Sequence, residues 1–267
     1  MNRFNPHAFP LFMKITIALI VTAFSNCFCF SQGKKILIVS TNIDSIAGNK
    51  SGTYLKEIAW PFKVFTDNGF TVEVMTAKGG KASIYHSGDM PEALAQIQNS
   101  ASFINATLNT LPPEKIRVAD YAAVYYPGGH GQYFDVLSDE RIATIAVAIH
   151  SNGGVLAAAG HGMSSWINIL LPDGDYLVKG KTITCFPTWA EKEWMSISAY
   201  GKLLPFDMEE VFRRRGARLI VPEKNSIKDP AFTNITDTQN KIVTGSFAFN
   251  AQWVAEMVVA LIKTQSL

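Results

Sequence analysis

The stretch Ala158-Ala159-Gly160-His161-Gly162 has the composition of a nucleophile elbow with its nucleophile left out. An apolar run, Val155 to Ala158, leads in from Gly153-Gly154, and a helix-like stretch, Met163 to Leu170, leads out. A sharp strand-to-helix turn of this kind lifts one side chain above the sheet edge and aims backbone N–H groups at an anion or oxyanion. The apex residue is Gly160, which has no side chain to lift. Two other stretches offer groups for the same chemistry. Ser51-Gly52-Thr53 is followed by Glu57, one turn into a helix and beside its apolar face. A carboxyl group half-buried there acquires a raised pKa suited to proton transfer, although the plainer alternative is an exposed helix acid. In Pro127-Gly128-Gly129-His130-Gly131, the glycines let backbone amides approach a ligand closely, or serve a tight turn only.

The histidines and cysteines narrow the chemistry further. His161 at a helix start either meets a ligand or bonds a neighbouring loop, and His130 either lines a pocket entrance or faces water. Five histidines without close His, Cys, Asp or Glu pairing give no metal-ligand spacing, so neither a metal nor another cofactor is expected. Cys185, in an apolar strand, reads as a buried core thiol.

Elements that could position these loops alternate along the chain. Apolar strands are expected at 35–40, 71–76, 122–126, 155–158, 181–186, 217–221 and 241–245. Helices are expected at 54–68, 91–109, 163–170, 209–215 and 251–263, with another capped by Ser138 and running to His150. Continuous apolar strands between helices indicate an α/β three-layer sandwich with a mostly parallel central sheet, whose ligands bind beyond the carboxyl ends of the strands. One domain over 32–267 follows, since no linker, repeat or low-complexity tract interrupts it.

Bulk properties exclude some classes. Twenty-four basic and 22 acidic residues leave a net charge of +2, so nothing global favours nucleic acid. The one basic run, Arg213-Arg214-Arg215, closes a helix that Glu209-Glu210 opens, which is dipole complementation. Residues 1–31 have the pattern of a secretory signal peptide: Lys14, the apolar run Ile15 to Phe24, and small residues before Gln32. Export is therefore expected, with Met13 an alternative start. Cys27 and Cys29 would leave with the leader, so the exported chain would keep Cys185 alone and no internal disulfide. The sequons at Asn49, Asn105 and Asn234 matter only in a glycosylating host.

The ordered set SGTYLKE, YYPGGHG, AAAGHG, KGKTITCFPTWAEKE, LPFDMEEVFRRRGA and KIVTGSFAFNAQ resembles the ThiJ/PfpI family. That resemblance covers nearly the whole chain after the leader, and is nearest to the chaperone and glyoxalase-III branch. It implies the class I glutamine amidotransferase-like, flavodoxin-like fold. It also implies glutathione-independent conversion of methylglyoxal to lactate, or deglycase or holding-chaperone activity, usually in a homodimer. In that branch a Cys at the elbow is followed by His-Gly, and a Glu from the first helix bonds the thiol. Carried over, Glu57 falls on the acid, His161 on the histidine, Gly128 and Gly129 on the oxyanion-side loop, and Gly160 on the cysteine itself. Thr188 falls where some members place an Asp that orients the histidine, and Trp60 where relatives often have His before Pro.

Three readings follow. In the first, Glu57 is a non-covalent acid/base on a carbonyl held by the amides of Gly129 and Gly162. In the second, which the sequence favours, the pocket around Gly128, Gly129, His130, Gly160 and Gly162 only binds a small carbonyl or carboxylate metabolite, or the protein holds unfolded chains. In the third, a thiol enzyme works as its relatives do and the placement of Gly160 is wrong.

Overall fold

The computed structural model describes residues 35–197 and 202–264, so the leader expected at 1–31 lies outside them. Six strands form the central sheet: β1 (Lys35–Val39), β2 (Val72–Met75), β3 (Tyr121–Tyr126), β4 (Val155–Ala159), β5 (Asn234–Asp237) and β6 (Ile242–Gly245). Their spatial order is β2-β1-β3-β4-β6-β5, parallel throughout except for β5, which pairs antiparallel with β6 at one edge. Fold class and parallel sheet agree with the sequence-based expectation.

The apolar strands show no polar alternation because both faces are covered. Successive residues point to opposite faces, and the two faces feed separate cores. Leu37, Val39, Val124, Tyr126, Leu156 and Ala158 enter one core, together with Ile142, Ile145 and Ile149 of α4 (Glu140–Ser151). Ile36, Ile38, Ala123, Tyr125, Val155 and Ala157 enter the other. There they meet Ile58, Phe62 and Phe65 of α1 (Leu55–Asp67), and Val254 and Val258 of the C-terminal helix (Ala251–Thr264).

Several elements depart from expectation. The helix expected at 91–109 is two, α2 (Glu92–Gln98) and α3 (Ala101–Leu108), because Ser100 caps the second by accepting from the Phe103 amide. Asp139, not Ser138, caps α4. The stretch expected as a helix at 163–170 is a 3₁₀ segment, Gly160–Trp166, and all seven residues are buried, so it belongs to the core rather than to a surface face. The strands expected at 181–186 and 217–221 shrink to Thr182–Ile183 and Arg218–Leu219, paired only with each other. Here backbone donors take side-chain partners instead of a ladder: Thr182 N–H bonds Asp237 at 2.8 Å, and Thr184 N–H bonds the Thr244 hydroxyl at 2.9 Å. The helices α5 (Thr188–Ile197), not expected from the sequence, and α6 (Met208–Arg214) lie between those two short strands in the chain.

Candidate active site

β1, β3 and β4 lie side by side mid-sheet, so the loops leaving their carboxyl ends converge. Gln132 staples them. Its side-chain amide donates to Val39 O (3.0 Å) and Pro127 O (3.1 Å), while its own oxygen accepts from the Ser165 hydroxyl at 2.8 Å. Asp135 adds a second tie, accepting from Thr41 Oγ1 at 2.6 Å and from the Asn42 amide at 2.8 Å.

Glu57 is the third residue of α1 and is buried. Its position depends on a break in the helix ladder. The Glu57 carbonyl should accept from the amide four residues on, but that residue is Pro61, which has none. The Tyr125 hydroxyl, rising from β3, takes the vacant role and donates to Glu57 O at 2.7 Å. Tyr125→Phe would strand this buried carbonyl. We expect a loss of about 1–3 kcal/mol in urea unfolding, whereas Tyr126→Phe, whose hydroxyl has no partner among the described residues, should be near neutral. Equal losses in the two variants would refute this account of Tyr125.

The Glu57 carboxyl group lies against two glycines. A Cβ added at Gly128 or at Gly160 would overlap its oxygens. Gly160 has φ +50°, the left-handed conformation that a side chain adopts only under strain. The space in front of the elbow apex, which a nucleophile's stem would claim, is therefore taken by Glu57 Oε1. That oxygen has no hydrogen-bond partner among the described residues. Burial pushes the Glu57 pKa up to about 8, although the Gly128 amide donates to the carboxyl and opposes the rise. This acid is poised to exchange a proton near neutral pH.

His161 follows the apex, and its Nε2 is 2.6 Å from Glu191 Oε2. Glu191 comes from α5, and Trp194, one turn further on, stacks on His130 at 4.2 Å between ring centroids. His130 and His161 are themselves 4.2 Å apart, and Phe186 lies 4.2 Å from His161. Burial, and then the neighbouring His161, hold the His130 pKa well below the usual histidine value, so its ring stays neutral.

The site thus corrects one assignment: Thr188 does not orient His161. Thr188 opens α5, where its hydroxyl donates to Asp207 Oδ1 at 2.8 Å and its amide to Glu209 Oε2, tying α5 to α6. Glu191, one helical turn later, reaches the histidine instead. The Thr188-x-x-Glu191 spacing, a helix-start signature, was the available signal for this missed residue. The structure also assembles what spacing did not show, since His130, His161 and Glu191 offer ligand-type atoms all within 4.8 Å of one another.

A cavity of about 200 Å³ opens over these groups, lined by Tyr54, Glu57, Gly129, His130, Gly160 and His161 among others. Gly128 and Gly162 do not line it. Gly128 packs on Glu57, and Gly162 packs the elbow against β3, where a Cβ would strike the Tyr126 carbonyl. Cys185 does not line it either; it is buried in the core, and burial pushes its thiol pKa well up. The arrangement offers acid–base catalysis on a small polar substrate, and no thiol among the described residues is in reach.

No protein-family model matches the chain. It is 27% identical over 248 residues to the glutathione-independent glyoxalase hsp3101 of Schizosaccharomyces pombe, covering 89% of this chain and 98% of that one. The crystal structure of glyoxalase III from Candida albicans superposes with a TM-score of 0.70 at 27% identity, covering 85% of this chain and 96% of that one. A ThiJ/PfpI domain protein from Brachyspira murdochii shares the fold, with a TM-score of 0.58 at 17% identity over 87% of this chain and 98% of that one. The order of the elements, the elbow, the first-helix acid and these likenesses point the same way: the chain is a homologue of glutathione-independent glyoxalases and is similar to the ThiJ/PfpI family, nearest its glyoxalase-III branch.

Proposed function

We propose that this protein converts small 2-oxoaldehydes to 2-hydroxy acids without a thiol, using Glu57 as the acid/base. The observation that carries the reading is the Glu57 carboxyl itself, buried in the apex space with a pKa near 8 and facing the cavity. The relatives' glyoxalase activity supplies the substrate class.

Thiol chemistry is replaced by water. A 2-oxoaldehyde in water carries a gem-diol at C1. Ionised Glu57 removes the C1 hydrogen as a proton, the electron pair moves into a C1–C2 double bond, and the C2 carbonyl oxygen takes the charge. Glu57 then returns the proton to C2, which takes up the double-bond electron pair. A lone pair of one C1 hydroxyl oxygen forms the C1 carbonyl, its proton passes to the C2 oxygen, and the product is the 2-hydroxy acid. The sum is oxoaldehyde plus water giving 2-hydroxy acid, with no adduct to the protein. His161, held by Glu191, lines the cavity where charge develops on oxygen.

The test is lactate formation from methylglyoxal with and without iodoacetamide. We expect turnover that the reagent leaves intact. A second reading, a binding site without chemistry, is favoured by the same filled apex; it predicts no lactate but saturable binding of pyruvate or lactate. Complete inhibition by iodoacetamide would defeat both. Export, a homodimer and the holding of unfolded chains are further proposals, resting on the leader composition and on the resemblance, and fractionation, sedimentation and aggregation assays respectively decide them.

A further inference from the structure

We propose that His130, His161 and Glu191 form a divalent transition-metal site whose open coordination positions face the cavity above Gly160. Two imidazoles and one carboxylate are a donor set suited to Zn²⁺, and three protein ligands with an open fourth position characterise catalytic rather than structural zinc. Around zinc at about 2.1 Å, tetrahedral ligand atoms stand roughly 3.4 Å apart. The spacings here bracket that value: His161 Nε2 to Glu191 Oε2 is 2.6 Å, and His130 Nε2 to Glu191 Oε1 is 3.9 Å. The ligand-type atoms of all three side chains lie within 4.8 Å of one another, close enough for side-chain adjustment to bring them onto one ion.

The surroundings suit an ion as well. The three side chains are 6%, 10% and 13% exposed, so a bound ion would be shielded from bulk water except through the cavity that both histidines line. The ligands come from three segments, the loop after β3, the elbow and α5, which Gln132 and the α5–α6 contacts hold in place. On binding, His161 and Glu191 would give up their mutual contact and turn their lone pairs to the metal. A zinc ion there would polarise the carbonyl of a bound oxoaldehyde as a Lewis acid, beside Glu57.

The experiment uses the full chain stripped with EDTA, titrated calorimetrically with ZnCl₂, and then loaded with Co²⁺. We expect one Zn²⁺ per chain and the intense visible bands of four-coordinate Co²⁺. His130→Gln and Glu191→Gln should each weaken binding by about 100-fold or more, beyond the 10–100-fold that loss of a ligand's supporting partner costs. His150→Gln, on α4 and away from the cavity, should bind as the parent does. Zinc-edge X-ray absorption of the loaded parent should count two imidazoles, a readout that stands even where a variant fails to fold. Absence of saturable zinc binding, binding untouched by both substitutions, or a count other than two imidazoles would overturn the proposal. Glu57-dependent turnover in EDTA is a separate measurement, so the failure of either idea leaves the other intact.

Discussion

Glu57→Gln is expected to lower lactate formation by about 10²–10⁴-fold, the usual contribution of a positioned acid or base. It should do so without loosening the protein, because glutamine keeps the shape of the side chain. In the parent, turnover should rise with pH and level off above about 8, since the base must be ionised and burial holds its pKa there. Stability should move the opposite way. Between an ordinary value of 4.5 and about 8, the folded chain keeps the Glu57 proton that the unfolded chain has released, so stability falls as pH rises through that window. Below it, both states are protonated and the group contributes no pH dependence. At pH 9 the glutamine variant should therefore exceed the parent by several kcal/mol, and the gap should nearly close at pH 4. Urea unfolding at the two pH values measures it. A parent and variant that differ by the same amount at both would show that Glu57 titrates normally, and the proposed base would fall with it.

The second large effect is a gain. Gly160→Cys should introduce an iodoacetamide-sensitive turnover at least about tenfold above the parent's, because it restores a covalent route. The substitution has two costs. A side chain at φ +50° carries about 1–2 kcal/mol of strain, and its Cβ must displace the Glu57 carboxyl. The carboxyl is the end of a flexible side chain and can turn aside, which would leave it next to the new sulfur. A folded variant whose thiol reacts with Ellman's reagent, but whose turnover equals the parent's, would show that the elbow and the acid do not form a family-type site.

Much of this was legible in the sequence because it depends on local composition. The glycines at 128, 129 and 160 and the acid one turn into α1 are read from neighbours along the chain, and the strand–helix order fixes the end of the sheet where they meet. What stayed hidden depends on contacts between distant segments. Glu191 lies 30 residues from His161 on a helix that opens at Thr188, and the Phe-Pro-Thr motif drew attention to the cap instead of the next turn. The partnership of His130 with Trp194 and His161 likewise arises only when three loops converge. The short strands Thr182–Ile183 and Arg218–Leu219 look longer in sequence because apolar content does not reveal that Asp237 and Thr244 take the backbone donors. Tyr125 reads as one more core aromatic until Pro61 is seen to leave a carbonyl without its helical donor.

The carboxyl group at the elbow also alters how the site ages. A reactive cysteine in this position can be carried by peroxide through sulfenic to sulfinic acid, the second step being beyond repair by ordinary reductants. A carboxylic acid has no such ladder to climb, and the chain's one described thiol is sealed in the core. Whatever the pocket does, it should go on doing it under oxidant levels that silence a sulfur-based catalyst.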